Sequence, residues 1–239
     1  MFGSAAKKII ALHGAGMNAA AFGSLAPHLA DYHFQALTLP GHDARGELLH
    51  SIQDMAEWLK SRIHTDEGQV ILLGHSMGAL IALQAANAPG VAGVVLMGAS
   101  AAMPVNPELL KTAAEKPLEA IKLMAKWSTF SDHPQVATIR PVVEAMMQEV
   151  PAGALAADLA ACNSFTDGNR LAASLHKPAL VISATHDKMA RAMEGEGLSR
   201  ALKDGQYRVI ANAGHMMMIE QPLDTANEIK GFLEDKGLA

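Results

Sequence analysis

Along the first hundred residues, short and nearly continuous apolar runs alternate with segments whose apolar positions recur three and four apart. The runs are Lys7–Leu12 (KKIIAL), His33–Leu39, Val70–Leu73 and Val91–Met97 (VAGVVLM). Three of them stop at glycine-bearing turns: His13-Gly14-Ala15-Gly16, Pro40-Gly41-His42-Asp43 and Gly74-His75-Ser76-Met77-Gly78. Runs of this kind are expected of parallel strands covered on both faces. Between them, Asn18 predicts the cap of a helix over Ala19–Ala30. Ser51 with Asp54 resembles a capping box, ahead of Ile52, Met55, Leu59 and Ile63 at helical spacing. An alanine- and leucine-rich helix follows Ser76 and ends near Asn87-Ala88-Pro89-Gly90. Strands alternating with helices predict a parallel sheet joined by right-handed crossovers.

The rhythm changes over residues 101–176, where the pattern is helical and no strand-like run occurs. Asn106-Pro107 opens one helix, Pro117 interrupts it, Pro134 and Pro141 begin or kink others, and Pro151 starts another. This stretch is expected to be a helical lid inserted into one core domain made of residues 1–100 and 177–239. The sheet resumes with Ala179–Ala184 (ALVISA) and Tyr207–Ala211 (YRVIA), and a helix over Asp224–Leu233 closes the chain.

Composition narrows the class. The chain has 239 residues, half of them apolar, and a formal net charge of -5, enough to bury one sizeable core and without the basic footprint of a nucleic-acid or membrane-surface binder. One cysteine, Cys162, excludes an intramolecular disulfide framework and fits a reducing cytoplasm, the expected location. The apolar run before His13 reads as a strand rather than a signal-peptide core, and no stretch approaches membrane-spanning length.

The candidate chemistry sits in the third turn. Gly74-His75-Ser76-Met77-Gly78 is a G-x-S-x-G pattern between a strand and a helix. A serine at the apex of so sharp a turn presents its hydroxyl, while the incoming strand and outgoing helix pass too closely for a Cβ at either flank. The helix N-terminus points free N–H groups and the positive end of its dipole toward that hydroxyl. Serine is a weak nucleophile unless a base takes its proton and a third group orients the base. Both partners are on offer: Asp187 follows ALVISA, and His215 follows YRVIA, in the chain order serine, acid, histidine.

With HGAG at 13–16, LPGH at 39–42, GHSMG at 74–78, an aspartate after the penultimate strand and AGHMMMIEQP at 213–222, the chain resembles the α/β-hydrolase family over nearly its whole length. The resemblance implies an α/β-hydrolase fold, with a mostly parallel sheet of about six strands flanked by helices. It implies that Ser76 is the nucleophile, His215 the general base and then acid, and Asp187 its orienting carboxylate. The backbone N–H groups of Met77 and Ala15 would form the oxyanion hole, with no cofactor required. The expected reaction is hydrolysis of a small-molecule carboxylic ester with a small or medium apolar acyl group. Enol-lactone, thioester or C–C hydrolysis, perhydrolysis and lyase chemistry stay open on the same scaffold, as does a ligand-binding member without turnover. His75, Met103 and Met216 are pocket candidates. The methionines at 103, 124, 146, 147 and 216–218 read equally as an adaptable pocket lining or as ordinary core. His13, His42, His75 and His186 lack paired metal-ligand spacing, so no metal is expected, and neither nucleic acid nor membrane is an expected partner.

Overall fold

The computed structural model describes residues 8–43, 45–64 and 69–239; Lys7, expected to open the first strand, lies outside them. Six strands form one sheet: β1 (Lys8–Leu12), β2 (His33–Leu37), β3 (Val70–His75), β4 (Val91–Met97), β5 (Ala179–Ala184) and β6 (Gly205–Ile210). Their order is β2-β1-β3-β4-β5-β6, and every neighbouring pair is parallel. β3 and β5 are buried at every position, whereas the edge strands β2 and β6 are partly exposed. That is why the central strands read as unbroken apolar runs and β2 only as a loose alternation.

Ten α-helices flank the sheet among the described residues. α1 (Ile52–Lys60) is capped by Ser51, whose hydroxyl oxygen accepts the Asp54 N–H at 3.0 Å, as its capping-box spacing predicts. α2 (Met77–Ala85) is buried on all sides except at Gln84, between the sheet, α1 and the helices that follow β4. Residues 101–176 carry no strand and hold α3 (Pro107–Glu115), α4 (Pro117–Ser128), α5 (Val136–Glu149), α6 (Ala154–Ser164) and α7 (Gly168–Ser174). Pro107 and Pro117 occupy first helical positions and Pro141 lies inside α5. α8 (Ala192–Ala201) follows β5, and α9 (Met217–Glu220) and α10 (Pro222–Asp235) follow β6.

The expected helix over Ala19–Ala30 is instead two 3₁₀ turns, Ala19–Phe22 and Ala26–Leu29. Asn18 does cap the first, its Oδ1 accepting the Ala20 N–H at 2.9 Å, but Gly23 ends that turn and Pro27, which has no N–H to donate, is the second residue of the next. α8 had no counterpart in the sequence reading, because Gly195 and Gly197 dilute its helical pattern. Gly195 is required there by packing: a Cβ would lie 2.2 Å from Ser183 Oγ.

The order reverses between β1 and β3: the chain builds outward from β1 to β2, then returns to β1's other side and continues to β6. At such a switch point the loops after two adjacent strands diverge and leave a crevice. Here the crevice is floored by a very close backbone crossing. A Cβ on Gly74 would fall 2.1 Å from Gly78 O, and one on Gly78 would fall 2.2 Å from Leu12 O. Gly78→Ala should therefore destabilise the protein by more than about 3 kcal/mol in urea denaturation, since only backbone movement can relieve the clash. Gly197→Ala, where a Cβ meets nothing within 4 Å, should leave stability unchanged or raise it by up to about 1 kcal/mol.

Candidate active site

Ser76 links β3 to α2 with φ 54° and ψ −119°, a left-handed conformation rare for a residue with a Cβ. Its N–H donates to Met97 O at 2.8 Å, so the strained turn is tied to the end of β4. Met77, first residue of α2, lies where helical N–H groups have no partner within the helix. Ala15, in the loop after β1, faces the same space, and a Cβ on the adjacent Gly14 would sit 3.2 Å from Ser76 Cβ.

Asp187 and His215 come from the loops after β5 and β6 and meet in the interior. His215 Nδ1 donates to Asp187 Oδ2 at 2.8 Å, with both side chains almost wholly removed from water. Asp187 Oδ1 accepts the N–H groups of Met189 (2.8 Å) and Ala190 (2.9 Å). Burial alone would raise the Asp187 carboxyl, but the His215 ring and these N–H donors outweigh it and hold the group below the usual carboxylate range. The His215 ring packs against the backbone of Gly98, where a Cβ would stand 3.0 Å from its Cε1.

The loop carrying His215 is fastened to the end of α4. Glu220 accepts the Gly214 N–H on Oε2 (2.8 Å) and the Phe130 N–H on Oε1 (2.6 Å), and the Met216 N–H donates to Ser128 O at 3.1 Å. Burial raises the Glu220 carboxyl against the pull of those two donors. His75 Nε2 donates to His215 O at 2.9 Å, and the two rings lie 4.6 Å apart. His75 Nδ1 has no partner among the described residues. Burial, with the His215 ring next in weight, pushes His75 down to about 3. His13 is likewise pushed down to about 3, by burial and then by His42.

Ser76, His215 and Ala15 open into a cavity of about 470 Å³ whose apolar wall includes Met103, Val105, Leu109, Met124, Trp127 and Leu159. The exposed side chains of Lys188 and Arg191 border it. Of the pocket candidates, Met103 lines this cavity, while His75 lines a recess of about 10 Å³ beneath it. Met216 is fully buried and lines neither. The methionines divide in the same way: Met103 and Met124 face the cavity, and Met146, Met147 and Met216–Met218 belong to the core. Among the described residues no cluster of His, Cys, Asp or Glu is arranged to hold a metal, and no helix is long and apolar enough to cross a membrane.

Two buried acids escaped the sequence reading. Asp158 lies on the apolar face of α6, and Glu220 ends the apolar run MMMI; both are almost fully enclosed. The signal for each was a lone carboxylate at a position that helical spacing assigns to the interior, which must find donors or leave.

The alpha/beta hydrolase family profile matches residues 9–228, and the chain belongs to that family. A relative from Acinetobacter baylyi, (E)-2-((N-methylformamido)methylene)succinate hydrolase, is 26% identical over 243 residues, covering 95% of this chain and 90% of its own. Among solved structures, the enol-lactonase from Burkholderia xenovorans superposes with a TM-score of 0.84 at 21% identity, covering 98% of this chain and 94% of that one. A thermophilic esterase from Thermogutta terrifontis with malate bound gives 0.82 at 22% identity, with 98% and 91% covered. These likenesses agree with the observed fold.

The two neutral, buried histidines set a pH dependence. In the unfolded chain a histidine takes up its proton near 6.5, whereas His13 and His75 in the fold do so only near 3. Their contribution to stability is therefore complete above pH 6.5 and is lost as pH falls from there toward 3. The melting temperature should drop progressively between pH 7 and 4, and His75→Gln, which keeps a donor for His215 O, should flatten the slope. A melting temperature constant over that range would contradict the assignment.

Proposed function

We propose that the protein is a serine hydrolase that cleaves a small carboxylic ester through an acyl-enzyme, in the cytoplasm and without a cofactor. The observation that carries this reading is the His215–Asp187 hydrogen bond placed at the same cavity as a serine on a strained strand-to-helix turn. Asp187 engages Nδ1, which leaves Nε2 of His215 as the ring atom that takes the Ser76 hydroxyl proton. The Ser76 oxygen attacks the ester carbonyl, and the N–H groups of Met77 and Ala15 receive the oxyanion. His215 then returns the proton to the leaving alcohol. Water repeats the sequence on the acyl-serine: it gives a proton to His215 as its oxygen attacks the acyl carbon, the bond to Ser76 breaks, and His215 returns the proton to the Ser76 oxygen as the acid product leaves.

Residues 101–176 act as the lid in this reading, and their methionine, leucine and tryptophan side chains at the cavity favour a small or medium apolar acyl group. A second reading, a substrate bearing a carboxylate, is favoured by Lys188 at the rim, where the neighbouring Arg191 is already paired with Glu194 at 3.0 Å. The name of the Acinetobacter relative, a hydrolase of a substituted succinate, points the same way. Comparing p-nitrophenyl butyrate with the p-nitrophenyl monoester of succinate separates the two, since only the second reading predicts a lower KM for the anionic ester.

Ser76→Ala should lower kcat by about 10⁴ or more while the protein stays folded. Asp187→Asn should cost about 10⁴ by removing the acceptor that fixes the histidine tautomer. Steady-state kinetics on the ester that turns over best checks both. Undiminished activity in Ser76→Ala contradicts the mechanism, and a loss below about tenfold in Asp187→Asn places the orienting acid elsewhere.

A further inference from the structure

The loop that carries Ala15 is held on both sides. Upstream, His13 Nδ1 donates to Gly14 O at 2.9 Å while its Nε2 accepts the Leu39 N–H at 3.1 Å. The Gly14 carbonyl and the Ala15 N–H belong to one planar trans peptide unit and point in opposite directions, so fixing the carbonyl aims the N–H. Downstream, the Gly16 N–H donates to Asp158 Oδ2 at 2.8 Å, across 142 residues of chain. That contact fixes the next peptide unit, between Ala15 and Gly16.

Asp158 Oδ2 also lies 2.7 Å from His42 Nε2, both side chains being fully buried. His42 Nδ1 faces Pro40 O at 3.2 Å. Both ring nitrogens thus face oxygen atoms, a set of partners that suits the protonated ring. Burial would lower His42, but the hydrogen bond and charge of Asp158 overcome it and raise the group. Asp158 Oδ1 is buried without a partner among the described residues. A buried ion pair with one oxygen unsatisfied is a poor source of stability, and what it does supply is a fixed acceptor at Gly16.

The rest of the face of α6 gives that acceptor a further meaning. Leu155, Asp158, Leu159 and Cys162 follow helical spacing on one side. Leu155 covers Gly16, whose φ is +64° and where a Cβ would lie 2.8 Å from Leu155 Cδ1, and Leu159 and Cys162 line the cavity. One stripe of α6 therefore touches both the Ala15 loop and the wall against which a substrate packs.

We infer that Asp158, held by His42, is a positioning residue that clamps the Ala15 peptide and couples the cavity wall to it. Its consequence for turnover rests on the serine-hydrolase reading above, but the clamp itself does not. Hydrogen–deuterium exchange by mass spectrometry on Asp158→Ala, with Asp158→Asn as the isosteric variant, tests the clamp directly. The peptide spanning Gly14–Met17 should exchange faster in Asp158→Ala while the peptide spanning Gly74–Gly78 does not, and Asp158→Asn, which keeps an acceptor oxygen, should fall between the variant and the native chain. Per site titrated with a fluorophosphonate, kcat on a p-nitrophenyl ester should fall about tenfold or more in Asp158→Ala with KM within about twofold, again with partial rescue in Asp158→Asn. Unchanged exchange at Gly14–Met17 in both variants overturns the clamp, and an unchanged kcat per titrated site overturns its role in turnover. If the native protein is neither titrated nor turns over any ester, the serine-hydrolase reading fails, and exchange alone decides the clamp. A protein in which Asp158→Ala does not fold leaves Asp158→Asn to give the same two readouts at smaller amplitude.

Discussion

Between Leu12 and Gly78 three backbone segments share a space that admits no side chain. The carbonyl of Gly78 lies against the Cα of Gly74, and the carbonyl of Leu12 lies against the Cα of Gly78. This crossing brings the exit of β1 beside the exit of β3 and places the first turn of α2 directly over both. Ser76 must then take a left-handed conformation to turn from strand to helix within one residue. The strain is tolerated because the surroundings over-determine it: β3 pairs with β1 on one side and β4 on the other, and the Ser76 N–H is anchored to Met97. The placement of Ala15 near Ser76 follows from the same contact, since both loops leave the sheet at the switch point.

Around that crossing, buried carboxylates work as cross-links between distant parts of the chain. Asp187 joins the β5 loop to the histidine of the β6 loop, Glu220 joins the histidine loop to the end of α4, and Asp158 joins α6 to the glycine loop after β1. Each accepts at least one backbone N–H, and in the interior such charge-assisted bonds are strong because little water competes. An apolar contact would hold these loops together without fixing the direction of any peptide. A carboxylate fixes both the distance and the direction of the backbone N–H groups it accepts.

Much of this was legible in the sequence because its causes are local. The apolar runs of β1, β3, β4 and β5 follow from burial on both faces, and the six-stranded parallel sheet emerges with them. The Ser51 and Asn106 caps lie within three residues of the groups they satisfy. The pairing of His215 with Asp187 could be expected because each residue follows its own strand end. The loop over residues 19–30 read as a helix because alanine and leucine favour one, and Gly23 and Pro27 broke it into single turns. Asp158, His42 and Glu220 were not anticipated as a set, since the contacts that tie them across the fold, Phe130 to Glu220, His42 to Asp158 and Gly16 to Asp158, span 90, 116 and 142 residues. Nothing in a local pattern records a contact of that range. Met216 misled for a related reason: it adjoins His215 in sequence, but its side chain points into the core.

The central claim is that Ser76 is chemically set apart from every other hydroxyl in the chain. The most direct measurement is reaction of the native protein with a fluorophosphonate, followed by peptide mapping by mass spectrometry. A single adduct on the peptide containing Ser76, formed stoichiometrically and abolished in His215→Ala, is the result this account predicts. An adduct on another serine, or none at Ser76 while the fold is intact, would contradict it.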